Sequence, residues 1–217
     1  MIYISVLYLL LMQYHYVLLL LTLTWGKLGI DISALFTVDD YKCIINAGHG
    51  DFLAVRGYRS YGAVDPNLMD NLGNAWAAGF NYVDIYMFPC LKCGNPEDQA
   101  DTMLSELHDA RYNIIWVDIE IYQWSADINV NRDFIKRMVT ELKLRNQIVG
   151  IYSDATSWKT IVGDWTELGD VMLWYAHWNG VPSFSDFVSF GGWAKPAMKQ
   201  YRGDQKICEM DVDFDFY

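Results

Sequence analysis

From residue 29 onward, short apolar segments alternate with longer amphipathic ones. Eight segments have the length and apolar or alternating texture of strands: residues 29–33, 52–57, 81–88, 113–121, 148–153, 171–177, 198–201 and 210–217. Between them, residues 37–47, 67–78, 95–111, 129–145 and 157–162 repeat their apolar positions with helical spacing. Asn95-Pro96-Glu97 is a helix start, with Asn as cap and Pro at the first helical position. Five strand–helix units followed mostly by strand predict an α/β fold, a flattened and trimmed (β/α) barrel. It has about eight strands and few helices in its last part. A full barrel takes roughly 250 residues, so roughly 190 implies trimming. An open doubly wound sheet is the alternative. No G-x-G-x-x-G follows a strand, which removes the usual dinucleotide site.

The strands carry acids in a regular way. Residues two apart on a strand share a face. In Trp116-Val117-Asp118-Ile119-Glu120-Ile121, Asp118 and Glu120 therefore face away from Val117, Ile119 and Ile121. Asp31 with Ser33, Asp84 with Tyr86, and Asp211 with Asp213 and Asp215 repeat the arrangement on three other strands. Inward residues at the carboxyl ends of barrel strands form the site, and crowded carboxylates repel unless function requires them there. A half-exposed sheet with solvated acids is the competing reading and suits the last strand best. A strand-borne D-x-E sets two Cα atoms roughly 6.6 Å apart. One carboxyl can then protonate a glycosidic oxygen while its neighbour stabilises positive charge.

Composition adds limits. The 217 residues allow one compact domain, and 9 Trp and 15 Tyr supply both core rings and faces for stacking on sugars. A net charge of −11 excludes an ordinary nucleic-acid partner. Residues 2–25 contain no Asp, Glu, Lys or Arg, and we read residues 1–26 as a signal peptide, with a membrane anchor as the lesser alternative. Met12 offers a second start. The mature chain, residues 27–217, is then a secreted or lysosomal/phagosomal monomer without stable membrane association.

Several segments together resemble glycoside hydrolase family 25, the CH-type lysozymes. They are Gly29-Ile30-Asp31-Ile32-Ser33, Trp116-Val117-Asp118-Ile119-Glu120, Trp174-Tyr175-Ala176 and Met210-Asp211-Val212-Asp213. Val83-Asp84-Ile85-Tyr86-Met87-Phe88-Pro89-Cys90 and Phe190-Gly191-Gly192-Trp193 are similar to its invertebrate and protozoan branch. The resemblance implies a β/α barrel that hydrolyses the β-1,4 bond after N-acetylmuramic acid in bacterial peptidoglycan, with no cofactor and no metal. It implies Glu120 as general acid/base, Asp118 as the group that orients the acetamido substituent or stabilises an oxazolinium-like intermediate, and Asp31 and Asp211 as an acidic floor. Asp213 stands where the family often has Asn, so the order of Asp211 and Asp213 is left open. Tyr86, Tyr152 and Trp174 match groove-lining rings, and Asp84 is counted with them as substrate-binding. Trp116 and Trp193 are expected in the core. Arg56 is expected either beside the carboxylates or in a surface loop, and His177 either in the groove or as a satisfied polar residue.

Four cysteines suggest two disulfides. Cys90-Leu91-Lys92-Cys93 has no second C-x-x-C for zinc; a redox pair is open, and a structural bridge is the reading we adopt. Barrel closure brings Cys43, on the first helix, to Cys208, before the last strand. A catalytically inactive sugar-binding barrel and a membrane-tethered display domain are the competing functions.

Overall fold

The computed structural model describes residues 26–217. The signal-peptide or anchor expectation thus lies almost wholly outside the described residues. Among the described residues nine strands occur: β1 (Leu28–Ile32), β2 (Phe52–Arg59), β3 (Ala63–Val64), β4 (Val83–Met87), β5 (Ile114–Asp118), β6 (Ile148–Ser153), β7 (Met172–Ala176), β8 (Met198–Ile207) and β9 (Met210–Phe216). Five helices lie between them: α1 (Val38–Asn46), α2 (Leu68–Ala78), α3 (Pro96–Glu106), α4 (Ile128–Leu144) and α5 (Ala155–Val162). None of these helices is long and apolar enough to cross a membrane.

The strands follow the order β1-β9-β8-β7-β6-β5-β4-β2, and β1 also pairs with β2, so eight strands close into a barrel. The short β3 is a hairpin partner on β2. This closure removes the open doubly wound alternative. Pairing is parallel from β1 through β2 and β4 to β8, whereas β9 is antiparallel to both β8 and β1. The register sets Asp31 opposite Asp213 and Gly29 opposite Asp215.

Local chemistry explains the ends of the elements. Thr37 and Asp40 form a reciprocal capping box at α1, and Asn95 caps α3 ahead of Pro96. The predicted 95–111 helix stops at Glu106, and the predicted 198–201 strand continues to Ile207 as a hairpin with β9. The hairpin's polar Arg202-Gly203-Asp204-Gln205-Lys206 disguised it, since its exposed half lacks the apolar signal of a buried strand.

Two apolar layers follow from strand alternation. Residues such as Ile30, Val55, Ile85, Val117 and Ile151 pack outward beneath the helices. Phe52, Ala54, Trp116, Trp174 and Met198 fill the barrel interior. Trp116 fits because its register partner is Gly150: a Cβ there would overlap the indole ring. Trp116 and Trp193 are both in the core. Cys43–Cys208 ties α1 to the β8–β9 turn, and Cys90–Cys93 closes the loop after β4.

Candidate active site

At the carboxyl ends of the strands, two cavities of about 260 and 380 Å³ meet. The first is lined by Asp31, Arg56, Tyr86, Asp118, Trp174 and Asp213 among others, and the second by Asp154, Thr156, Tyr175 and His177. Glu120, Tyr152 and Trp178 belong to both. Glu120 thus stands at the junction of one continuous cleft.

The end of β5 creates that position. Ile119 N–H donates to the Tyr152 carbonyl at 2.8 Å, carrying the chain one residue past the strand. Trp124 Nε1 then donates to the Glu120 carbonyl at 2.8 Å and pins the turn. Asp118 and Glu120 keep their shared direction, whereas Ile121, past the strand, is exposed rather than packed.

Burial and mutual repulsion dominate the electrostatics. Asp31 is pushed up to about 8, first by burial and then by Asp213, against a lowering hydrogen bond from Gln200. Asp118 is raised well above the usual carboxylate range by burial, then by Glu120 and Asp31. Its Oδ1 has no hydrogen-bond partner among the described residues, which further disfavours the ionised form. Glu120 is raised by burial, then by Asp154 and Asp213, with no hydrogen bond offsetting these causes. Asp213 and Asp215 are raised by burial first. At neutral pH the cluster therefore shares protons rather than ionising fully.

Tyr86, Tyr152 and Trp174 all line the cleft, and all three are more deeply set than surface platforms. Trp174 meets Tyr86, Trp116 and Tyr152 edge-on and donates Nε1–H to Asp215 at 2.9 Å. Asp84 does not reach the cleft, contrary to the substrate-binding expectation. It is fully buried, accepting from Ile114 N–H at 3.0 Å, Trp116 Nε1–H at 2.8 Å and Tyr217 O–H at 2.9 Å. Asp211 is not brought to the deep floor either. It lies at the rim beyond Asp213, its side chain 78% exposed and paired with Lys206 at 2.8 Å. Asp213 takes the inner place, because β9 enters the barrel only from Val212 onward.

Arg56 lines the cleft but pairs with Asp65 and the Ser33 carbonyl, both at 2.7 Å, rather than with the acids. His177 combines both expectations, lining the second cavity while its Nδ1 bonds Asp186 at 2.5 Å. Asp186 also holds the buried Lys199 at 2.7 Å, which clamps the loop following β7.

Gln200, Trp178 and Asp154 escaped the reading of the sequence, and Asp215, read there only as one of the alternating acids of the last strand, is fully buried. Gln200 is buried and bridges Asp31, Asp213, Tyr152 and Trp178. Its signal was available: it shares a strand face with Met198, a polar residue on an inward apolar face. Asp154 was visible as the cap of α5, accepting from Thr156 and Ser157 N–H. Trp178 lies beyond β7, where strand alternation gives no direction. No group of three His, Cys, Asp or Glu side chains suited to a metal occurs among the described residues.

Comparison with known proteins identifies the family. A family model described as Lysozyme-like protein 1 matches residues 24–201. Probable GH family 25 lysozyme 4 of Dictyostelium discoideum is 40% identical over 191 residues, 87% of this chain and 89% of its own. Lysozyme-like protein 5 of Caenorhabditis elegans is 40% identical over 194 residues, 87% and 90% of the two chains. In structure, the bacterial lysozyme from Streptomyces coelicolor superimposes with a TM-score of 0.73 at 23% identity, covering 88% and 92%. The family GH25 lysozyme from Aspergillus fumigatus gives 0.72 at 19% identity, covering 88% and 93%. The chain belongs to glycoside hydrolase family 25 and is a glycoside hydrolase.

Proposed function

We propose that the protein is a muramidase that cuts the β-1,4 bond after N-acetylmuramic acid in bacterial peptidoglycan with net retention. The observation that carries this reading is Glu120 at the junction of two cavities, raised by burial and free of a competing hydrogen bond. A glycosidic oxygen lying over that junction has a proton donor beneath it, one sugar in each cavity, and aromatic walls on the side of Asp118. The relatives named as probable GH family 25 lysozymes support the same reading.

The stereochemistry follows from what the remaining acids are doing. Across the cleft from Asp118 stand Asp31 and Asp213, the two candidates to activate an inverting water. Asp213 already accepts from Asp204 N–H at 2.7 Å and from Gln200 at 3.2 Å. Asp31 accepts from Gln200 at 2.7 Å. Burial raises both carboxyls, Asp31 to about 8, so on the acid side of neutrality they hold protons rather than take one from water. The substrate's own acetamido oxygen is then the nucleophile, one of the exceptions to the two-carboxylate scheme.

In this sequence the amide oxygen attacks C1 as the C1–O bond breaks, and Glu120 gives its proton to the leaving oxygen. Asp118 holds the amide N–H. The positive charge that develops on the closed ring favours the ionised carboxyl that burial disfavours. Water then attacks C1, Glu120 takes its proton, and the ring opens to the acetamide with two inversions at C1.

The setting of this reading is a secreted or lysosomal/phagosomal monomer that serves bacterial digestion or antibacterial defence. Reducing-end analysis of digested peptidoglycan tests the assignment. New reducing N-acetylmuramic acid ends, absent with Glu120→Gln, support it. New N-acetylglucosamine ends, or no cleavage, contradict it.

A further inference from the structure

We propose that Gln200 is a positioning residue: it holds Asp31 and Asp213 as hydrogen-bond acceptors and turns the Tyr152 hydroxyl so that it meets the substrate as an acceptor. The proposal rests on the glycosidase reading above and adds a specific task to the cleft wall opposite Asp118.

The Gln200 amide has two donors and one carbonyl with two lone pairs, and all four are used. Nε2 donates to Asp31 at 2.7 Å and to Asp213 at 3.2 Å. Oε1 accepts from Tyr152 O–H and from Trp178 Nε1–H, both at 2.7 Å. An indole N–H can only donate, so the oxygen must face Trp178 and the nitrogen must face the acids. The amide cannot flip without losing all four bonds. It therefore joins β8 to β1, β9, β6 and the loop after β7 in one orientation.

Two chemical consequences follow. The far-wall carboxyl oxygens that face Gln200 meet N–H groups rather than each other, so they are held as acceptors in a fixed orientation. The Tyr152 hydroxyl has committed its only proton to Gln200. The free lone pair of Tyr152 in the cleft can then receive only a donor, namely an acetamido N–H or a sugar hydroxyl. Trp178, bonded to the same oxygen, is fixed as the wall common to both cavities.

The charged and titratable groups around this bridge are Asp31 on β1, Arg56 on β2, Tyr86 on β4, and Asp118 with Glu120 at the end of β5. Tyr152 on β6, Asp204 on β8, and Asp213 with Asp215 on β9 complete the set. Gln200→Glu places another carboxyl among them. Protonated, that carboxyl keeps an acceptor for Trp178 and one donor for an acid; ionised, it faces Asp31 and Asp213 with acceptors only.

The test compares Gln200→Glu and Gln200→Met with the wild-type chain in kcat/KM on peptidoglycan against pH. It also follows the Trp178 indole N–H resonance, identified by its loss in Trp178→Phe. The expected result is that Gln200→Glu works near its acid limit within about tenfold of wild type. Its alkaline limb should move down by about one pH unit or more, because its new carboxyl must stay protonated. Gln200→Met should be slower by about tenfold or more at every pH. The Trp178 resonance should titrate with the new limb in Gln200→Glu and should shift in Gln200→Met. A role confined to folding lowers stability and leaves the limbs in place. Superimposable pH profiles for Gln200→Glu and wild type, or an indole resonance that ignores both substitutions, would overturn the proposal. A wild-type chain that leaves peptidoglycan uncut would strike the muramidase reading instead, and the indole titration would still decide the arrangement around Gln200.

Discussion

Trp116 donates its indole N–H to Asp84 at 2.8 Å, joining two residues on adjacent strands inside the barrel. With Ile114 N–H and Tyr217 O–H on the same carboxyl, Asp84 organises the closed end of the interior rather than the cleft. Its ionisation is pushed up to about 6, by burial first and against these three hydrogen bonds.

Asp84→Asn turns one acceptor oxygen into a donor facing other donors. We expect unfolding free energy to fall by about 2–4 kcal/mol, within the range for a broken buried hydrogen-bond network. KM should stay within about twofold of wild type, since the carboxyl does not touch the cleft. Urea unfolding and steady-state kinetics check both parts. Unchanged stability with a raised KM would restore Asp84 to substrate binding.

Stability should fall as pH rises from about 4 to about 8. Asp31, Asp84, Asp118, Asp213, Asp215 and Glu120 are all raised on folding. Groups raised in the folded state stabilise it fully below their unfolded values, about 4, and lose that contribution as pH climbs through their folded values. Asp31, at about 8, sets the upper part of the window. Asp65 and Asp186 are lowered in spite of burial, by hydrogen bonds from Arg59 and Lys199 first among the opposing causes. Their contribution is lost only on the acid side, as pH falls through their folded values. Thermal unfolding across this range should therefore give its highest Tm on the acid side of neutrality. A Tm that climbs steadily to pH about 8 would contradict the buried-acid account.

Trp178 is 58% exposed yet bonded to Gln200, so it offers a ring face to both cavities at little cost to the core. Trp178→Ala should raise KM on glycan chains by about three- to tenfold, the worth of one aromatic contact. Stability should change by less than about 1 kcal/mol. A large fall in Tm with unaltered KM would make Trp178 a structural residue.

The Cys43–Cys208 bridge closes a loop with a sequence separation of 165 and fixes α1 to the β8–β9 turn. Replacing both cysteines with serine should lower stability by about 2–4 kcal/mol, chiefly by freeing the unfolded chain. Urea unfolding of the double variant against wild type measures it. A difference below about 0.5 kcal/mol would show that barrel closure does not depend on the bridge.

The barrel was legible because strands buried on one side by helices must repeat apolar residues, as Val117, Ile119 and Ile151 do. Asp118 and Glu120 were legible for the same reason, since acids opposite such residues have only the barrel interior to enter. Gln200 was legible only as a polar residue on an inward apolar face; its four partners, scattered from Asp31 to Asp213, converge in a way that no local pattern records. The choice between Asp211 and Asp213 was equally closed to sequence. Both lie on one face of β9, and only the depth at which the hairpin enters the barrel separates them. The outward half of β8 was lost because solvent-exposed antiparallel strands need no apolar run.

The central claim is that Glu120 and the substrate's acetamido group cut the bond with retention, without a base supplied by the opposite carboxyls. Proton NMR of the first-formed sugar anomer tests it most directly, recorded during digestion before mutarotation, with Glu120→Gln run beside the wild type. The account predicts the β-anomer at the new reducing end, and a rate lower by about 10²–10⁴ for Glu120→Gln. A first-formed α-anomer, or a Glu120→Gln enzyme close to full activity, would contradict it.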